Sequence, residues 1–132
     1  MKKRGFTLIE LLAVLVILAV IILIAFPIIS KTIHESKVGA ALDAGYGYVR
    51  AVEASAANDA MSHPGHTYTG TYTISGKKII NTTNSTDTLT VSYHGSAPTG
   101  TLVMSKRTVK SATLVINGFN ITYDGKTMKE NK

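Results

Sequence analysis

The sequence predicts an α+β chain. A long amino-terminal helix, membrane-spanning in its first half and amphipathic in its second, packs against a small antiparallel β-sheet. Three observations predict this. From Leu11 to Ile29 all 19 residues are apolar or Pro, and about 20 helical residues cover the hydrocarbon core of a bilayer. From Val38 to Ala56 apolar residues return at steps of 4, 3, 4, 3 and 4, the period of one helix face. After Ser62, Thr, Ser, Asn and Gly dominate, in short strand-prone runs separated by turn signals. The chain thus divides into a basic leader (1–5), an apolar helix (6–29), an amphipathic helix (30–61) and a β-rich head (62–132).

Lys2, Lys3 and Arg4 open the chain ahead of the apolar run. Basic residues on that flank hold it in the cytosol, so everything after Ser30 lies outside. A secretory signal peptide has the same basic start. Its core, however, is only about 7–15 residues long and ends at a small-x-small cleavage site, which Ile28-Ile29-Ser30-Lys31 does not provide. A plain signal anchor fits the length and charge. It does not explain Glu10, placed in the otherwise apolar Phe6-Thr7-Leu8-Ile9-Glu10-Leu11-Leu12. A carboxylate in a spanning helix is a functional hypothesis by default; the plainer reading is that Glu10 lies near the cytosolic end and reaches the headgroups.

The stretch Lys3-Arg4-Gly5-Phe6-Thr7-Leu8-Ile9-Glu10-Leu11 resembles the processing site of the type IV pilin and pseudopilin family. A short basic leader ends in Gly5, Phe6 follows, and Glu10 is the fifth residue counted from Phe6. Pro27 matches a proline that many members carry towards the end of the apolar segment. The close resemblance covers residues 2–30, with a looser architectural likeness beyond. It implies that a membrane aspartic prepilin peptidase cuts between Gly5 and Phe6 and N-methylates Phe6. It also implies a homo-oligomeric helical filament in which Glu10 of one subunit meets the Phe6 amine of a neighbour, so that Phe6 and Glu10 serve assembly. A platform protein in the membrane, driven indirectly by a cytosolic ATPase, would build that filament. Many Gram-negative members close a carboxy-terminal loop with a disulfide. With no Cys, this chain resembles the disulfide-free Gram-positive pilins, which rely on sheet hydrogen bonds.

Physical reasons accompany each implied step. Drawing Lys2, Lys3 and Arg4 into the bilayer would cost about 2.5–3.5 kcal/mol each, roughly 8–10 together, so the leader anchors the subunit until it is removed. Breaking a buried ion pair costs about 3–5 kcal/mol, so a Glu10–amine pair would set register, while the Leu, Ile and Val surface supplies adhesion. Pro27 has no amide hydrogen for the Leu23 carbonyl and kinks or loosens the helix there. It is either a boundary between anchor and exterior helix or, by the resemblance, a place where the backbone stretches within the fibre.

In the amphipathic part the stripe is Val38, Leu42, Gly45, Val49, Val52 and Ala56, with Asp43 and Arg50 elsewhere on the helix. Its numerous alanines favour helix, while Gly39, Gly45 and Gly47 each cost about 1 kcal/mol and permit close approach of the sheet. One continuous helix from Phe6 to Met61 is expected. His63-Pro64-Gly65-His66 then breaks it. The His-x-x-His spacing has no third ligand beside it, so it reads as a loop and not a metal site.

Strands are expected at Thr67–Ser75, Lys78–Ile80, Thr88–His94, Thr101–Met104, Ala112–Asn117 and Phe119–Tyr123. Ser75-Gly76 and Asp124-Gly125 are turn signals, and Asn117-Gly118 between apolar runs is the strongest hairpin signal. A single Asp-Gly pair is no calcium loop. Asn81, Asn84 and Asn120 each begin an Asn-x-Ser/Thr triplet, which a Thr-rich chain produces by chance. Asn81–Thr88 reads as an exposed loop.

Composition excludes several functions. A chain of 132 residues without Cys has no disulfide framework, thiolate nucleophile or cysteine metal site. No Trp and only 6 Tyr and 3 Phe argue against a large aromatic-lined pocket. A head of roughly 70 residues leaves little room for a catalytic cleft, and no clustered nucleophile and base is visible. Neither an enzyme nor a cofactor is expected. The net charge of +6 divides into +3 in the leader, −2 over residues 6–61 and +5 in the head. Lys77, Lys78, Lys106, Arg107 and Lys110 are candidate DNA contacts, which would make binding fall steeply with salt. The same lysines also serve to oppose edge pairing of a small sheet. The first expectation is therefore the structural subunit of a surface filament acting in adhesion, surface motility or biofilm. The second is a pseudopilin of a secretion or competence system, and the third a displayed basic DNA-binding module.

Overall fold

The structure is a computed structural model that describes residue 5 and residues 7–131. Helix α1 runs uninterrupted over Leu8–Ser62 with Pro27 inside it. Seven strands follow: β1 (Gly70–Ser75), β2 (Lys78–Asn81), β3 (Thr88–Thr90), β4 (Thr99–Ser105), β5 (Thr108–Ile116), β6 (Phe119–Tyr123) and β7 (Met128–Glu130). The chain forms two compact units, residues 1–37 and 38–132.

In the first unit the helix is apolar on all sides from Leu11 to Ile29, and its large apolar side chains from Leu8 to Ile33 are exposed. Such a surface is stable in lipid or against other helices, not in water. By length and composition this segment can cross a membrane.

In the second unit the helix becomes one-sided. Ala41, Gly45, Tyr48, Val49, Val52, Ser55 and Ala56 are buried, while Asp43 and Arg50 stay exposed. The core-facing stripe is rotated slightly from the expected one: Val38 and Leu42 are only half-buried, and Tyr48 replaces them in the core. The Tyr48 ring meets Tyr93 edge-on at 5.2 Å. Its hydroxyl has no hydrogen-bond partner among the described residues, and burial pushes its pKa up to about 12. The helix ends where Pro64 has no amide hydrogen to donate; the His63 amide makes the last bond, to the Asp59 carbonyl at 2.8 Å.

The sheet order is β3-β2-β1-β4-β5-β6-β7, and every neighbouring pair is antiparallel. Alternation sends Tyr72 and Ile74 of β1 and Leu102 and Met104 of β4 into the core. In β5 the parity changes: Val109 is buried, then Ala112, Leu114 and Ile116. A bulge explains the change, since Val103 pairs with Ser111 but Met104 with Val109, leaving Lys110 as the extra residue. Glu53 of α1 accepts the Val109 amide at 3.2 Å.

Only β6 keeps the expected limits: β1 starts three residues later than expected, β2 gains Asn81 and β4 extends to Thr99–Ser105, and three differences are larger. The third strand is cut to Thr88–Thr90 because the Ser92 amide turns away to the Ser55 hydroxyl at 3.0 Å. The fifth begins at Thr108, ahead of the bulge. The seventh, Met128–Glu130, was not expected; the Tyr46 hydroxyl accepts its Met128 amide at 2.7 Å. Asn117 (φ 51°) and Gly118 (φ 83°) form the expected left-handed turn between β5 and β6. The β4–β5 turn uses the same conformation at Lys106 (φ 51°) and Arg107 (φ 69°), with no glycine.

Candidate functional site

Two regions carry functional chemistry. At the amino terminus, Gly5 is exposed, and no described atom lies within 4 Å of where its Cβ would sit. Phe6, the expected new terminus, methylation site and assembly residue, lies outside the described residues. Thr7 and Glu10 form a reciprocal cap: the Glu10 amide donates to Thr7 Oγ1 at 3.1 Å and the Thr7 amide to Glu10 Oε2 at 3.3 Å. This Thr-x-x-Glu capping box satisfies two of the amide hydrogens that every helix start leaves without partners. It was legible in the sequence as a spacing. Glu10 therefore has a partner within its own chain. Around Pro27 the helix continues, and one turn later the Thr32 hydroxyl donates to the Ile28 carbonyl at 3.0 Å.

In the head, the two histidines of His63-Pro64-Gly65-His66 turn to different carboxylates. His63 Nδ1 lies 3.1 Å from Asp59 Oδ1, and His66 Nε2 lies 3.0 Å from Asp87 Oδ1. Each carboxylate also accepts a phenol, Tyr68 to Asp59 at 2.8 Å and Tyr72 to Asp87 at 2.6 Å. The Tyr68 bond, reinforced by His63 and His66, holds the Asp59 carboxyl below its ordinary range. Burial, then Asp59, raises the Tyr68 phenol; burial and Asp87 push Tyr72 up to about 12. Among the described residues no three His, Asp or Glu side chains are grouped to hold a metal ion.

The Asn81–Thr88 loop is more constrained than its composition suggests. Asn81 Oδ1 accepts the amides of Thr83 and Asn84, and Asn84 Oδ1 that of Thr86, as Asx turns do. Asn81 Nδ2 donates to Asp87 at 3.1 Å.

The candidate DNA contacts separate into two groups. Lys77 and Lys78 belong to the β1–β2 turn, where Ser75 pairs with Lys78. Lys106, Arg107 and Lys110 belong to the β4–β5 hairpin, at the other end of β1, where Gly70 pairs with Met104. Five steps of about 3.4 Å along β1 put roughly 17 Å between the two groups. The Arg107 guanidinium is engaged in the fold, donating to the His66 carbonyl at 2.8 and 3.1 Å. The structure brings these residues into no single patch.

A long amino-terminal helix packed against a seven-stranded antiparallel sheet is a pilin-like α+β fold. Residues 1–26 match the model of the prokaryotic N-terminal methylation motif, the class III signal of type IV pilins and pseudopilins. Gly5, Phe6, Glu10 and all but the last three residues of the apolar helix (6–29) fall within the match. That signal supports a type IV pilin or pseudopilin, processed by prepilin peptidase. No curated protein and no solved structure shows a significant match to the chain.

Proposed function

We propose that this chain is the structural subunit of a type IV pilus. It is inserted with its amino terminus in the cytosol, cut after Gly5, N-methylated on Phe6 and polymerised into a surface filament for adhesion, motility or biofilm. The observation that carries this reading is the methylation signal placed directly ahead of a helix whose apolar side chains are exposed on all sides. Before assembly that surface is covered by lipid, and afterwards by the helices of other copies. The chain acts as a building block and needs no catalytic residue or cofactor. A platform protein and its ATPase supply the work of extraction.

The test is mass spectrometry of filaments sheared from cells. A dominant protein whose first peptide begins at Phe6 with one added methyl is expected. The same peptide confined to membranes would make the chain a pseudopilin, and an uncut Met1 terminus would reduce it to a signal anchor.

A further inference from the structure

The head carries an open groove of about 400 Å³ between the last turns of α1 and strand β3, within the range of about 300–1,000 Å³ usual for small-molecule sites. Asn58 and Asp59 line one wall and Thr88 and Thr90 the other. Strand β3 is the edge of the sheet. The Asn81 amide donates to the Asp87 carbonyl at 3.0 Å and the Val91 amide to the Lys77 carbonyl at 2.7 Å. Antiparallel pairing alternates, so Asp87, Leu89 and Val91 face β2, while the backbone N–H and C=O of Thr88 and Thr90 face away from it. Two donors and two acceptors are therefore presented at fixed spacing on the groove wall.

The opposite wall is also set before any ligand arrives. Asp59 is fixed by the Tyr68 hydroxyl at 2.8 Å and by His63 at 3.1 Å, yet a quarter of its side chain, 25%, remains accessible. Asn58 is exposed beside it. A carboxylate that accepts next to an amide that both donates and accepts is the complement of paired alcohol groups, each of which donates one hydrogen and accepts another. Among the described residues no Lys or Arg lines the groove, so it lacks the cationic partner on which strong phosphate or sulfate recognition rests. Leu89 and Tyr68 are buried to 4% and 3% exposure, so no apolar pocket is open for the side chains of an extended peptide, on which strand addition depends for specificity.

We infer that this groove binds a neutral oligosaccharide, its hydroxyls held by the Asn58 amide, the Asp59 carboxylate and the free backbone edge of Thr88 and Thr90. The site belongs wholly to the unit 38–132 and stands whether that unit is displayed on a pilus or a pseudopilus.

The experiment presents the full chain in lipid nanodiscs to an array of neutral, sialylated and sulfated oligosaccharides and of extended peptides, at low and high salt. Binding to one or more neutral glycans, unchanged by salt, is expected. Asn58→Ala, an exposed helical position, should weaken it about tenfold, equivalent to about 1.4 kcal/mol, or one hydrogen bond. Thr90→Pro removes one outward N–H without touching the ladder and should weaken it likewise while leaving the circular dichroism unchanged. The inference is overturned by no binding to any neutral glycan, or by binding that both variants retain. Binding only to sulfated glycans with steep salt dependence, or only to peptides, overturns it too.

Discussion

Thr7 and Glu10 hold each other across the first turn of α1, the Glu10 amide on the Thr7 hydroxyl at 3.1 Å and the Thr7 amide on the Glu10 carboxylate at 3.3 Å. Glu10 thus has two separable properties, a cap acceptor and a charge. Gln preserves the cap but not the charge, since either residue completes a capping box. Glu10→Gln should therefore keep the helix start and be processed at Gly5, yet give few filaments because the Phe6 amine of a neighbour finds no carboxylate. Normal filament yield from Glu10→Gln would remove charge pairing from the account of assembly.

Thr7→Val keeps the side-chain volume and deletes only the hydroxyl. Loss of an N-cap costs about 1 kcal/mol, or roughly fivefold in a local opening equilibrium. Amide exchange at Glu10 in detergent micelles should accelerate by about that factor, with exchange beyond Leu15 unchanged. Equal rates in both proteins would show that the cap does not form in a membrane-like setting.

Gly100 lies in β4 at φ 131°, where a Cβ would run into the Thr113 carbonyl of β5 and come within 3.2 Å of the Leu114 Cα. The obstruction is backbone in the middle of the sheet, so it cannot rotate aside as a side chain would. Gly100→Ala should destabilise the head by about 2–3 kcal/mol and lower its melting temperature by roughly 10 °C or more. Gly45 makes a useful contrast. A Cβ there meets the end of the Met128 side chain and otherwise approaches Ile116 Cδ1 at 3.5 Å. Met128 can move, so Gly45→Ala should cost less, with its effect confined to β7.

What the sequence made legible follows from how local each feature is. The apolar run, the helix face and the Asn117-Gly118 hairpin depend on neighbours within a few residues; the run and the hairpin stand where they were read, and the helix face is only slightly rotated. Strand β7 was not legible because Met128-Lys129-Glu130 has helix-forming residues and is held by Tyr46, 82 positions away. The early start of β5 was hidden by Lys110, whose bulge breaks the two-residue alternation. Tyr48 escaped notice because it lies beside the Val49 position of the expected stripe, in Gly45-Tyr46-Gly47-Tyr48, where aromatic and small residues alternate along the chain and blur the helical period. The cap at Thr7 was available as a spacing but was masked by Glu10 being read only as a charge. The oligosaccharide groove joins Asn58 and Asp59 to Thr88 and Thr90 across a turn, two strands and a loop, and no local pattern announces it.

The Tyr68–Asp59 bond makes the head's stability depend on pH in a direction that can be worked out. Hydrogen bonding from Tyr68, with support from His63 and His66, lowers the folded pKa of Asp59. A carboxyl whose folded pKa lies below its unfolded value contributes stability above the ordinary carboxylate range and loses it as pH falls through that range towards the folded value. The Tyr68 phenol is raised by burial and by Asp59, so it remains a donor throughout. Tyr68→Phe removes the largest cause of the Asp59 shift while keeping the ring against Tyr72, 6.1 Å away. The melting temperature of Tyr68→Phe in nanodiscs should lie below that of the parent near neutral pH, and the gap should narrow as the pH falls from 5 towards 3. A gap that stays constant over that interval would assign the loss to packing of the hydroxyl and not to the ionised Asp59.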